Sequence, residues 1–170
     1  NEILVKDDVA VIPWLVGNEW KKIKKIKCKY MFGHFELPNF KMNAMVEMPD
    51  HGEIQAEHFS HIERVFSGHF HKRQHKGNIS YIGNPFAHNY ADAWDNDRGA
   101  MFLEWDKEPQ YKIWADGPKY RVMNLSDLLK NTFHNKKNQS KWLPISRNCQ
   151  VLCRRTTQRL LTTRKFHTLS

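Results

Sequence analysis

Apolar residues along the chain come in short runs broken by polar turns, and these runs predict more strand than helix. Val9 to Val16 is apolar throughout and rich in β-branched residues, which predicts a buried strand. Asn18 to Lys27 follows, a basic segment with Trp20, Ile23 and Ile26 three apart, read as a short helix with one apolar stripe. Cys28 to Phe32 predicts the next strand, and Gly33-His34 ends it. Leu37 to Phe40 reads as a loop and Lys41 to Glu53 shows no clear period. Glu57 to Arg64 predicts one or two helical turns leading into a strand at Val65 to Ser67. Lys72 to Gly77 reads as a polar turn, and Ile79 to Ile82 as a strand closed by Gly83-Asn84-Pro85. A polar loop from His88 to Gly99 precedes a hairpin of Ala100 to Trp105 and Tyr111 to Ala115. A short helix is expected at Leu125 to Asn131, capped by Asn124 or Ser126. Helix and loops between the early strands, then a meander, give an α/β layered fold with an antiparallel portion near the end.

Composition changes this picture at one end. Hydrophobic content of 40% and charged content of 26% are ordinary for a globular protein, and 170 residues suffice for one core. The formal charge is +9, which alone would point to a polyanionic partner. From Lys136 onward, however, there are nine Lys and Arg and no Asp or Glu, so the preceding 135 residues are balanced at 18 of each sign. Residues 1–134 are therefore read as the folded portion and 135–170 as a basic tail, disordered or out of frame. Cys28, Cys149 and Cys153 are too few and too irregular for a disulfide framework or a zinc knuckle, and imply a reducing compartment. No run approaches the roughly 20 apolar residues that span a bilayer, and Asp7-Asp8 interrupts the place of a signal peptide.

The candidate chemistry lies at strand ends. Gly68-His69-Phe70-His71 follows Val65-Phe66-Ser67, and in an extended segment residues two apart face the same way. His69 and His71 would then aim two imidazoles at one point, suited to a mid-series divalent metal. Gly33-His34 repeats the pattern after Tyr30-Met31-Phe32, so two neighbouring strands would deliver histidines to one sheet edge. The other histidines carry a plainer reading. His58 and His61 lie on a short helix and are not taken as ligands, and His75 and His88 are solvated loop residues. Trp14, Trp105 and Trp114 are expected as core aromatics on strands.

Val11-Ile12-Pro13-Trp14-Leu15, Phe32-Gly33-His34-Phe35-Glu36-Leu37, Val65 to His71, and Tyr81-Ile82-Gly83-Asn84-Pro85-Phe86 together resemble the calcineurin-like metallophosphoesterase superfamily, roughly over residues 9–125. Within it the blocks look like the SbcD-type recombination nucleases of T-even-like bacteriophages. The resemblance implies a four-layer sandwich of mixed sheets and helices. It makes His34, His69 and His71 ligands of a two-metal centre, usually manganese, whose cations about 4 Å apart activate water for phosphodiester hydrolysis in recombination and repair. Lys72 and Arg73 would contact the DNA backbone. Implied partners are DNA, an SbcC-type coiled-coil ATPase and a second nuclease subunit, with no membrane, in the host cytoplasm. The family's Asp-x-His, Gly-Asp-x-x-Asp and Gly-Asn-His motifs do not occur. The chain is therefore expected to be the carboxy-terminal part of such a domain, lacking the amino-terminal half and inactive alone. Alternatives are another small phosphoesterase of the same fold, or a non-enzymatic nucleic-acid-binding protein acting through the tail.

Overall fold

A computed structural model describes residues 2–43 and 46–126, together with the backbone of the strands at 149–154 and 160–161. Its main body is a six-stranded sheet in the order β1-β2-β3-β4-β6-β5. The strands are β1 (Leu4–Lys6), β2 (Val9–Val11), β3 (Tyr30–Gly33), β4 (Arg64–Ser67), β5 (Gln74–Lys76) and β6 (Ile79–Tyr81). β2, β3, β4 and β6 run parallel, while β1 and β5 pair antiparallel at the two edges. This is a mixed sheet with a parallel centre, and such strands need both faces covered. The central ones are accordingly apolar: Met31, Val65, Ile79 and Tyr81 are all at most 1% exposed.

The apolar run at Val9 to Val16 is strand only as far as Val11. Pro13 lacks the amide that a continuing ladder requires, and the last bond on this side is Ile12 N–H to Phe32 O at 2.8 Å. The expected helix at 18–27 is present as a 3-10 helix over Gly17–Lys25. A three-residue stripe matches that geometry better than an α-helical period. Its entry is held by Glu19, whose carboxylate accepts from Val16 N–H at 3.0 Å. Ile23 and Ile26 turn into the core, and the lysines between them stay exposed.

The second helical turn, Ala56–Phe59, is fixed by polar side chains as much as by Phe59. His58 Nδ1 accepts from Gln55 N–H at 3.1 Å, and Asn78 Nδ2 donates to Phe59 O and Ile62 O at 2.8 and 2.6 Å. The expected polar turn at 72–77 is in part β5, an edge strand of polar residues joined to β6 through Gly77-Asn78. Gly77 takes φ 58 there, a conformation open to glycine at no steric cost. The hairpin expected after residue 99 is β7 (Gly99–Phe102) paired with β8 (Gln110–Ile113). β9 (Lys119–Asn124) runs parallel to β10 (Cys149–Arg154), which pairs with β11 (Leu160–Leu161). Beyond its first two residues the helix expected at 125–131 lies outside the described residues, as does the 135–170 tail apart from those two strands.

The core is one cluster on the main sheet, with Phe35, Leu37, Phe40, Phe59, Phe70 and Tyr81 among its largest members. Tyr81 ties it to the segment after β3: its hydroxyl donates to Phe35 O at 2.9 Å and accepts from Leu37 N–H at 3.3 Å. Burial pushes the ionisation of that phenol far up, so it stays a neutral donor. The three tryptophans expected in the core are not there. Trp14, Trp105 and Trp114 are 44%, 55% and 51% exposed, and each lies just outside a strand. Trp105 leans on Tyr30 and Trp114 on Phe86, so they cover surface rather than fill the interior.

Candidate functional site

β3 and β4 are adjacent and parallel with Gly33 opposite Ser67, so the residues leaving both strands emerge at the same end of the sheet. His34 and His69 meet there with ring centroids 5.2 Å apart and planes at 88°. Gly68 makes this possible. A Cβ at that position would stand 2.8 Å from His34 Nδ1, so the His34 ring occupies the space a side chain would need. Glycine thus serves a close approach here, while the sharp backbone turn falls on His69 itself, at φ 83. A non-glycine residue held in the left-handed region stores of order 1–3 kcal/mol, a cost that concentrates at functional sites.

That turn corrects the expectation of an extended His-x-His pair. His69 faces His34, Trp14 and Glu36, with Glu36 Oε1 3.9 Å from its Nε2. His71 faces a different group of residues. Its Nδ1 lies 3.3 Å from Asp92 Oδ1, and its ring is 5.5 Å from that of His88. Desolvation lowers the proton affinity of His69, with Glu36 opposing and His34 and His71 adding to the shift. A neutral imidazole is the form that binds a metal.

Asp92, fully buried, is the residue that sequence reading missed. Its Oδ2 accepts from His88 N–H at 2.9 Å, and its Oδ1 stands 3.1 Å from Arg98 Nη2 without an aligned hydrogen bond. Arg98, 4% exposed, donates from Nη1 to His71 O at 2.9 Å. Arg98 therefore fixes the His71 carbonyl, while Asp92 Oδ1 lies close to the His71 ring without a hydrogen bond to it.

Lys72 and Arg73, expected on DNA, are engaged within the chain. Lys72 Nζ lies 3.6 Å from Asp95 Oδ2. Arg73 donates to Asp97 Oδ1 at 2.9 Å and stacks 4.4 Å from the Tyr111 ring centre, leaving its Nε and Nη2 buried without partners. His58 stacks on Trp20 at 4.6 Å, His61 Nε2 contacts Ile26 O at 3.1 Å, and His75 Nδ1 contacts Ser80 Oγ at 2.9 Å. All three have structural partners.

The donor chemistry at His34 and His69 suits a divalent ion, and Glu36 adds an oxygen nearby. The set is nevertheless short. Among the described residues no group of three or more His, Cys, Asp or Glu side chains is arranged to hold a metal ion. The residues fit one part of a metal centre rather than a whole one.

The chain is similar to a phage exonuclease subunit. It is 30% identical over 105 residues to Exonuclease subunit 1 of Enterobacteria phage T4, a match covering 59% of this chain. The matched stretch spans 30% of the length of that protein. No family model matches the chain, and no solved structure does. Among the described residues no helix is long and apolar enough to cross a membrane.

Proposed function

We propose that this chain carries the histidine-bearing part of a divalent-metal centre in a nuclease that hydrolyses DNA phosphodiester bonds. The observation that carries the reading is the His34–His69 pair, two imidazoles 5.2 Å apart at the ends of adjacent parallel strands. Similarity to a phage exonuclease subunit over the stretch available supports it. A bound divalent ion, manganese by preference, would supply Lewis-acid polarisation of the phosphoryl oxygen and a more acidic water.

The chain's own residues do the positioning. His34 and His69 present ring nitrogens at one end of the sheet, Glu36 sits beside His69, and Arg98 holds the His71 carbonyl. No carboxylate among the described residues bridges the two imidazoles. Acting alone, the chain therefore takes up metal weakly and leaves DNA intact. In the working enzyme the sheet is part of a four-layer sandwich, paired with a second nuclease subunit and an SbcC-type coiled-coil ATPase in the host cytoplasm.

The coding sequence upstream of Asn1 tests this reading. An in-frame extension bearing Asp-x-His and Gly-Asn-His is the expected result. The extended protein should then shorten linear DNA with Mn²⁺, and His69→Ala should lower that rate at least ~100-fold, as loss of a metal ligand or its support does. An extended protein that degrades DNA equally well with His69→Ala would overturn it.

A further inference from the structure

Beside His34 opens a cavity of about 170 Å³ lined by Trp14, Trp20, Pro49, Glu36 and Glu53, with His34 at one side. Trp14 leans on both histidines, at 5.7 Å from His34 and 5.4 Å from His69, yet remains 44% exposed. An aromatic ring kept half in solvent beside the candidate metal ligands contributes little to the core. Trp20 forms another wall, and Lys21 and Lys24 each lie 5.7 Å from its ring centre. Lys25 and Lys27, later in the same segment, are also exposed.

We propose that this cavity receives the terminal base of a single-stranded or frayed DNA end, stacked on Trp14, with the preceding backbone running along Lys21 and Lys24. This deepens the nuclease reading and rests on it for the role of the end. The distribution of charge selects the ligand part. Glu36 and Glu53 line the cavity and would repel a phosphate placed inside it, while they can accept from the amino groups of a base. The positive charge lies outside, where a backbone would pass. An aromatic platform beside a basic track is the arrangement by which proteins hold single strands with little sequence preference. A base seated on Trp14 would bring the end of the strand next to the His34–His69 pair.

The test uses the full chain in EDTA and an oligonucleotide carrying 2-aminopurine at its end, so that neither metal nor hydrolysis enters. Stacking quenches the end probe more than the same probe placed internally. Trp14→Ala should weaken binding ~10-fold and remove the quench, as loss of a stacking platform does, and Trp14→Phe should retain most of both. Lys21→Ala/Lys24→Ala should lower the salt dependence of binding by one to two ions, roughly, and leave the quench in place. Trp14→Ala that quenches and binds like the wild type would overturn the proposal, as would a folded wild type with no affinity for the end-labelled strand. Quenching in a chain that takes up no Mn²⁺ would keep the base site and remove the nuclease reading. Metal uptake without quenching would do the reverse.

Discussion

His34 lies directly against Gly68: a Cβ on that glycine would fall 2.8 Å from the imidazole Nδ1, closer than real Cβ contacts come. The glycine of the Gly-His-x-His element therefore serves a histidine 34 positions earlier in the chain. Gly68→Ala should push the His34 ring away from His69 and cost about 1–3 kcal/mol, the range for overpacking a filled space. Histidine ring resonances and urea denaturation report both effects. An unchanged His34 spectrum in Gly68→Ala would contradict the packing described.

At φ 83, His69 should be a less stable residue than the one glycine would make. His69→Gly is expected to raise stability by about 1 kcal/mol through relief of left-handed strain, whereas His69→Ala, which keeps the strain, should not. Both should lose divalent-metal uptake. Chemical denaturation of the three proteins separates a strained ligand from an ordinary loop histidine.

Asp92 is fully buried against Arg98, and removing it leaves the guanidinium with Asp95, 3.2 Å away, as its remaining carboxylate partner and the His88 N–H without its acceptor. Asp92→Ala should cost on the order of 1–3 kcal/mol, the range for a buried donor left unmet. Asp92→Asn should cost less, because its amide oxygen still accepts from His88 N–H. Denaturant midpoints of the two variants check the order.

The β7–β8 loop is tied to β3 through Asp106, which accepts from Lys29 and from the Tyr30 hydroxyl at 3.1 Å while its own N–H donates back to Tyr30 at 2.8 Å. The Lys29 and Tyr30 hydrogen bonds hold the Asp106 carboxyl below its usual range. Its folded-state pKa is depressed, so its contribution is complete above pH ~4 and is lost as pH falls through the folded value. Asp106→Asn should lower stability in the neutral region and flatten the acid limb, its profile converging on the wild type as pH falls and the native carboxyl protonates. An acid limb identical to the wild type would place the coupling elsewhere.

Much of this fold was legible because burial writes itself into short apolar runs. Tyr30-Met31-Phe32 and Val65-Phe66-Ser67 announced β3 and β4, and the histidines after them announced the site. What the pattern hid has physical causes. β1 is only three residues, Leu4-Val5-Lys6, and β5 is Gln-His-Lys, so one edge strand is too short and the other too polar to stand out in the pattern. The 3-10 form of Gly17–Lys25 was present in the three-residue spacing but reads the same as a helix stripe. His69 could not be separated from His71, because nothing in Gly-His-Phe-His reveals which residue bears the turn. Asp92 lies 21 positions beyond His71 in a polar loop, where an aspartate is unremarkable until the fold buries it. The size and apolarity of tryptophan predict a core position for Trp14; its neighbours His34 and His69 are brought to it only by the parallel pairing of β2, β3 and β4.

Paramagnetic broadening tests the central claim most directly. Mn²⁺ titrated into the full chain should broaden the ring resonances of His34 and His69 first, at concentrations that leave His58, His61 and His75 sharp. Equal broadening of all the histidines, or sharp His34 and His69 signals at saturating Mn²⁺, would contradict the assignment of this strand-end pair as a metal site.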